Sequence, residues 1–291
     1  MTWLTYALLT ALLNSLASLY EKHTLNKLHS IDFSAAIAFT TALLTLPVLW
    51  TASWDKMTPG ILAFMFILSV IAATAFLSVI RAMRHMEISL SSPMFLLGPL
   101  ITTLFAFLIL GERVSQLQIL GITILVFGTY MLETERLSHG KEFIINIWQN
   151  KYSRFILFGL LLYGLSSVGD RIVLGKWGIS PVLYTAIVQI FIAIQFSFLT
   201  WHHRGSPLAS IKLVRHYWKA ILIIALLTIG YRITQGYATA IAAVGLVIAI
   251  KRSSSLFTTI IGGELFHDHG VWRKTSACVI MIIGVYLIAA K

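Results

Sequence analysis

Long apolar runs recur along the whole chain, separated by short polar or basic segments, and each approaches the roughly 20 residues needed to cross a hydrocarbon core. They can be drawn at Trp3–Tyr20, Phe33–Trp50, Gly60–Ile80, Ile88–Leu110, Leu117–Leu132, Phe155–Leu174, Val182–Trp201, Ala220–Ala240, Ala242–Gly262 and Ser276–Ala290. The pattern predicts an all-α integral membrane protein with ten transmembrane helices. The eighth and ninth runs are nearly continuous, parted only by the Ala-Ile-Ala-Ala-Val-Gly stretch ending at Gly245, where a tight hairpin is expected.

Composition agrees with that pattern. With 58% hydrophobic and 11% charged residues in 291, the chain lacks the polar surface of a soluble domain. Its 22 Lys and Arg against 11 Asp and Glu would point to nucleic acid in a soluble protein. Here the bases collect in loops between apolar runs, so the lipid bilayer and its anionic headgroups are the expected partner, with no nucleic acid. The single cysteine, Cys278, excludes an intrachain disulfide and reads as packing. The first run starts at Trp3 without a basic leader or a small-residue cleavage site, so it is expected to be retained as a helix.

Two internal matches divide the chain. Leu12 to Lys22 lies over Leu161 to Arg171, with an acid followed by a base in both copies: Glu21-Lys22 and Asp170-Arg171. Gly111-Glu112 corresponds to Gly263-Glu264, and Gly128-Thr129-Tyr130 to Gly284-Val285-Tyr286, with an insertion near Phe266–His269 in the second copy. The expected organisation is a five-helix unit over 1–135, a basic-side loop with an interfacial helix over 136–154, and a second five-helix unit over 155–291. An odd number of helices per unit inverts one copy relative to the other, the arrangement from which alternating-access carriers are built.

The segment from Ser92-Pro93 through Pro99 to Gly111-Glu112-Arg113, followed by Gln118, Gly121 and Gly128, resembles the EamA-type repeat of the drug/metabolite transporter superfamily. Lys251–Ser255, Gly263-Glu264 and Gly284 fit the same repeat less closely, lacking its prolines. The resemblance implies a secondary carrier with its substrate cavity between the two halves, without a cofactor, and leaves the small-molecule substrate open among amino acids, sugars, nucleotide sugars, nucleobases and other metabolites. It also suggests a bacterial inner membrane. Alternate loops place fourteen Lys and Arg on one side and five on the other, which predicts cytoplasmic basic loops and external termini, although many relatives of this kind have cytoplasmic termini. Two basic-side segments, Lys141–Lys151 and Ser206–Trp218, carry the apolar, basic and aromatic positions of helices lying in the headgroup region.

Polar residues inside the runs carry the candidate chemistry. Arg232, Lys251 and Arg252 fall about a dozen residues inside the predicted helix ends, where charge costs several kcal/mol unless a partner, water or ligand meets it. Arg232 and Gln235 share a helix face, Tyr231 adjoins them, and a hairpin would bring Lys251 to the same depth. This set predicts a cationic site for a substrate carboxylate or phosphate, weighed against internal ion pairing. Ser254, within Ser253–Ser255, offers a hydroxyl to ligand or backbone, and Asn14 and Tyr163 occupy positions facing a central cavity. Asp170 and Glu21 read either as proton-coupling carboxylates or as ion-pair partners. Glu112 and Glu264 are expected to bond helix ends, and His267-Asp268-His269 to be loop rather than a metal site.

The first expectation is therefore a secondary carrier of a small anionic or zwitterionic metabolite. An exporter of amphipathic drugs or a flippase of a lipid-linked sugar is the alternative within the same fold. A membrane enzyme lacks any nucleophile-base cluster, metal-ligand set or phosphate loop in the sequence, and a sensor would bring an output domain.

Overall fold

The computed structural model describes residues 2–25, 30–83, 94–133, 150–204, 209–261 and 271–290. Its regular elements, among the described residues, are all helical: α1 (Trp3–Leu25), α2 (Ser30–Thr45), the single turn α3 (Val48–Thr51), α4 (Pro59–Met83), α5 (Leu97–Phe105), α6 (Gln116–Glu133), α7 (Lys151–Arg171), α8 (Pro181–Arg204), α9 (Ala209–Ile241), α10 (Val244–Lys251), α11 (Ser254–Ile261) and α12 (Val271–Ala289). α5 and α7 each run on into a five-residue π-turn, Ala106–Leu110 and Ile172–Lys176. Among the described residues, six stretches are long and apolar enough to cross a membrane: Trp3–Glu21, Ile31–Thr51, Pro59–Ala82, Lys151–Lys176, Pro181–His202 and His216–Ile241. Leu97–Leu110, Gln116–Leu132 and Thr275–Ala289 are shorter apolar helices.

Local chemistry fixes where these helices start and stop. Pro59 and Pro181 open α4 and α8, where a missing N–H is harmless. Ahead of α6, Ser115 and Gln118 form a reciprocal capping box: Gln118 N donates to Ser115 Oγ at 3.2 Å and Ser115 N to Gln118 Oε1 at 3.0 Å. Asn150 accepts from Tyr152 N at 2.9 Å to begin α7. Gly111 and Gly178, both at positive φ, end the two π-turns. The bonds Glu112 N to Ala106 O and Ile179 N to Val173 O, each reaching back six residues, close those ends.

Polarity is inverted relative to a soluble protein. Leu104, Phe107, Phe198, Ile282 and Tyr286 are at least half exposed, whereas Thr10, Thr41, Gln189 and Gln235 are buried. Hydroxyls within the helices return to carbonyls one turn back, as Thr10 to Tyr6 O at 2.8 Å and Thr129 to Leu125 O at 2.8 Å.

Helices pack in recurring pairs: α1 against α9, α4 against α7, α2 against α8, α5 against α10, and α6 against α12. The last contact is close enough to need glycine. A Cβ on Gly284 would lie 2.7 Å from Leu125 N and 2.9 Å from Gly121 O, and one on Gly121 would lie 2.8 Å from Ile288 N. Lipid supplies no hydrophobic drive between helices, so such small-residue contacts carry the association.

The predicted ninth span, Ala242–Gly262, is not one helix. The chain turns at Ala242-Ala243, forms α10, breaks at Arg252-Ser253, and resumes as α11. Lys251 and Arg252 therefore stand at a helix C-terminus rather than a dozen residues inside a continuous helix. The partial negative charge of exposed carbonyls favours cations there. Ser253 N and Oγ both donate to Ile250 O, at 2.9 and 2.7 Å, and Ser255 Oγ donates to Arg252 O at 3.1 Å. The serines thus satisfy backbone that a broken helix leaves open. The Ser206–Trp218 segment is helical from Ala209 and bends at Tyr217 before the eighth span. Pro93, Glu264, the His267–His269 insertion and nearly all of the Lys141–Lys151 segment lie outside the described residues.

Gly284→Leu is expected to destabilise the protein by about 1–3 kcal/mol through overpacking, read as a lower thermal unfolding midpoint in detergent. An unchanged midpoint would contradict the α6–α12 contact.

Candidate functional site

The site is built on the second half of α9 and the break after α10. Gln235, one turn along α9 from Arg232, accepts from Lys251 Nζ at 2.8 Å. The same ammonium stands 4.8 Å from the ring centroid of Tyr231, and the Arg232 guanidinium carbon 5.7 Å from it. Tyr231 therefore presents its ring to both cations. Lys251 has a partner in Gln235; the Nε of Arg232 is buried with no hydrogen-bond partner among the described residues. Thr228 Oγ1, one turn back on α9, is buried and unpaired in the same way. A buried donor left unpaired costs about 1–3 kcal/mol, so two on one face call for an explanation.

Two adjoining hollows supply one. The first, a cavity of about 30 Å³, is lined by Ser166, Asp170, Tyr184, Gln189, Arg232 and Gln235 among others. The second, a cavity of about 90 Å³, is lined by Glu21, Ser34, Tyr163, Thr228, Tyr231 and Arg232 among others. Arg232, Gln189, Ala72 and Ile192 line both, so the guanidinium stands at the partition. One carboxylate lies on each side: Asp170 in the first hollow and Glu21 in the second.

Asp170 accepts a hydrogen bond from Tyr184 of α8. Its neighbour Arg171 turns to the end of the bundle, donating from Nε to Glu112 Oε1 at 2.7 Å and from Nη1 to Thr239 O and Ala240 O at 2.7 and 2.8 Å. Glu112 Oε2 accepts from Val244 N at 3.0 Å. This one ion pair thus caps the C-terminal turn of α9 and the N-terminus of α10, and fixes the turn between them. Glu112 does bond helix ends, and does so across the molecule.

The remaining predicted positions sit elsewhere. Asn14 Nδ2 donates to Ser254 Oγ at 3.3 Å where α1 meets α11, and neither residue lines the two hollows. Below them, the hydroxyls of Thr10 and Thr234 are 2.8 Å apart. Arg252 lies over the ring of Phe95 at 5.7 Å, with Nη2 only 3.1 Å from where a Cβ on Gly98 would stand. Tyr184, Gln189, Ser166 and Thr228 are wall residues that sequence reasoning passed over. An amide at Gln189 within the apolar α8 was the available signal.

The EamA-like transporter family model matches residues 1–134. These residues form an EamA-like transporter domain. The match is consistent with the drug/metabolite transporter superfamily and suggests a membrane transporter of that type. A solved crystal structure superposes with a TM-score of 0.74 over 99% of this chain and 98% of its own, at 12% identity. At that identity the likeness shows the fold alone, and it extends through the second half that the family model does not match. No curated protein matches the chain.

Arg171→Ala and Glu112→Gln are expected to couple, with an interaction free energy of about 0.5–3 kcal/mol in a double-mutant cycle of thermal or denaturant unfolding. Additive effects would mean that the pair does not hold the α9–α10 turn.

Proposed function

We propose that this transporter is a secondary carrier for a small anionic or zwitterionic metabolite, working by alternating access between inverted five-helix halves, 1–135 and 155–291. Arg232 carries this reading: a guanidinium at the partition of two hollows, with a buried Nε that no described residue satisfies. Its fork matches a carboxylate or phosphate. Lys251, steadied by Gln235, adds a second positive charge, and Asp170 or Glu21 can meet the ammonium of a zwitterion.

Packing supports the two-fold division. If α1 corresponds to α7 and α4 to α9, then α1 on α9 and α4 on α7 are one contact made twice. Gly128 packs on Met281 as Gly284 packs on Leu125, the same step along the chain in each half. Inverted halves related in this way can exchange conformations, opening the shared cavity to either side. An exporter of amphipathic drugs would place aromatic rings rather than a guanidinium between the hollows.

The test is counterflow in proteoliposomes over a panel of amino acids, carboxylates and sugar phosphates. Arg232→Ala and Lys251→Ala are each expected to lower transport more than tenfold, since an unpaired partner charge costs about 2–5 kcal/mol. Arg232→Lys should recover part of the activity. Wild-type rates in both alanine variants would remove the cationic site.

A further inference from the structure

A third hollow, of about 460 Å³, lies apart from the proposed substrate cavity, between α5 and α6. Its walls are Leu100, Leu104, Phe107, Ile119 and Ile122, with Glu112 and Arg113 at one end. Leu100, Leu104, Phe107 and Ile119 are 43 to 54% exposed, and among the described residues no other helix covers them, so the hollow opens sideways from the bundle. In a membrane transporter that direction is the acyl-chain region.

The polar groups around this groove are accounted for except one. The Thr103 hydroxyl donates to Pro99 O at 2.8 Å, so the wall offers an occupant no free donor there. Glu112 is occupied at both oxygens, by Arg171 Nε at 2.7 Å and Val244 N at 3.0 Å, and does not neutralise its neighbour. Arg113 is exposed and forms no hydrogen bond or ion pair with another described residue. It stands in the loop just beyond the αL turn at Gly111, where the apolar helix ends and a headgroup layer begins. Among the described residues the groove is thus apolar along its length, with one uncompensated cation, Arg113, at its mouth.

We propose that this groove is a binding site for an anionic phospholipid, one acyl chain lying against Leu104 and Phe107 and the headgroup phosphate on Arg113. The chemistry is complementary at both ends: methylenes meet methylenes, and guanidinium meets phosphate in bidentate geometry. A zwitterionic phospholipid has the same chains but a quaternary ammonium that offsets its phosphate, so selectivity resides in Arg113. The bound headgroup stands beside the Glu112–Arg171 pair, which joins this lipid to the turn between α9 and α10.

The full-length protein, stripped of lipid in detergent, is incubated with dioleoyl phosphatidylglycerol, dioleoyl phosphatidylcholine or glycerol 1-phosphate, and examined by native mass spectrometry and thermal unfolding. Phosphatidylglycerol is expected to be retained and to raise the unfolding midpoint above that with phosphatidylcholine. Arg113→Gln should weaken its retention by about fivefold, the worth of one basic residue near an anionic headgroup, and Arg113→Lys should keep most of it. Leu104→Trp, which narrows the groove, should reduce retention of both lipids. Equal retention of the two lipids by the wild type, or Arg113→Gln binding phosphatidylglycerol like the wild type, would overturn the site. So would stabilisation by glycerol 1-phosphate matching that by the lipid, or a lipid-free dimer that occupies the groove.

Discussion

A charge in hydrocarbon has to be met, and most of this architecture follows from how each buried charge is met. Arg171 finds Glu112 and two carbonyls at the end of α9, Asp170 finds Tyr184, and Lys251 finds Gln235 at the C-terminal end of a short helix. Arg232 is the exception, with a buried Nε that no described residue satisfies. In a bilayer an unsatisfied donor is costly enough that it persists only where water or a ligand reaches it. The substrate reading grows from that one contrast between polar groups with partners and a buried Nε without one.

The same constraint explains the broken helix. Irregular backbone at membrane depth is tolerated only where it is buried in protein or lines a cavity, and here Ser253 and Ser255 close the carbonyls that the break exposes. Breaking the helix places Lys251 at its negative end, which offsets part of the desolvation cost of an ammonium. A continuous helix would have held Lys251 and Arg252 without that compensation. The Glu112–Arg171 pair then fixes the turn leading into α10, so the geometry around Lys251 depends on an ion pair at the far end of the same short helix.

Much of the helical layout was legible because apolar length and capping chemistry are local. The Ser115–Gln118 box, the prolines at Pro59 and Pro181, and the glycine stops at Gly111 and Gly178 can all be read from neighbouring residues. Convergence of Arg232, Gln235 and Lys251 was also readable, since one helical turn and one hairpin relate them. The break at Arg252-Ser253 was not: hydropathy sees an unbroken apolar run, and only the serine hydroxyls hinted at irregular backbone. The partners of Asp170 and Glu112 were hidden for another reason. Tyr184, Arg171 and Val244 reach them through tertiary packing between separate helices, which no spacing rule within one helix supplies.

The central claim is that Arg232 receives an anionic group. The most direct measurement is thermal unfolding of the purified transporter with paired ligands, each carboxylate or phosphate set against its neutral amide or ester. Anionic members alone should raise the midpoint, by mass action on the folded state, and Arg232→Gln should abolish the rise. Neutral analogues stabilising the protein as well as their anionic counterparts would contradict the account.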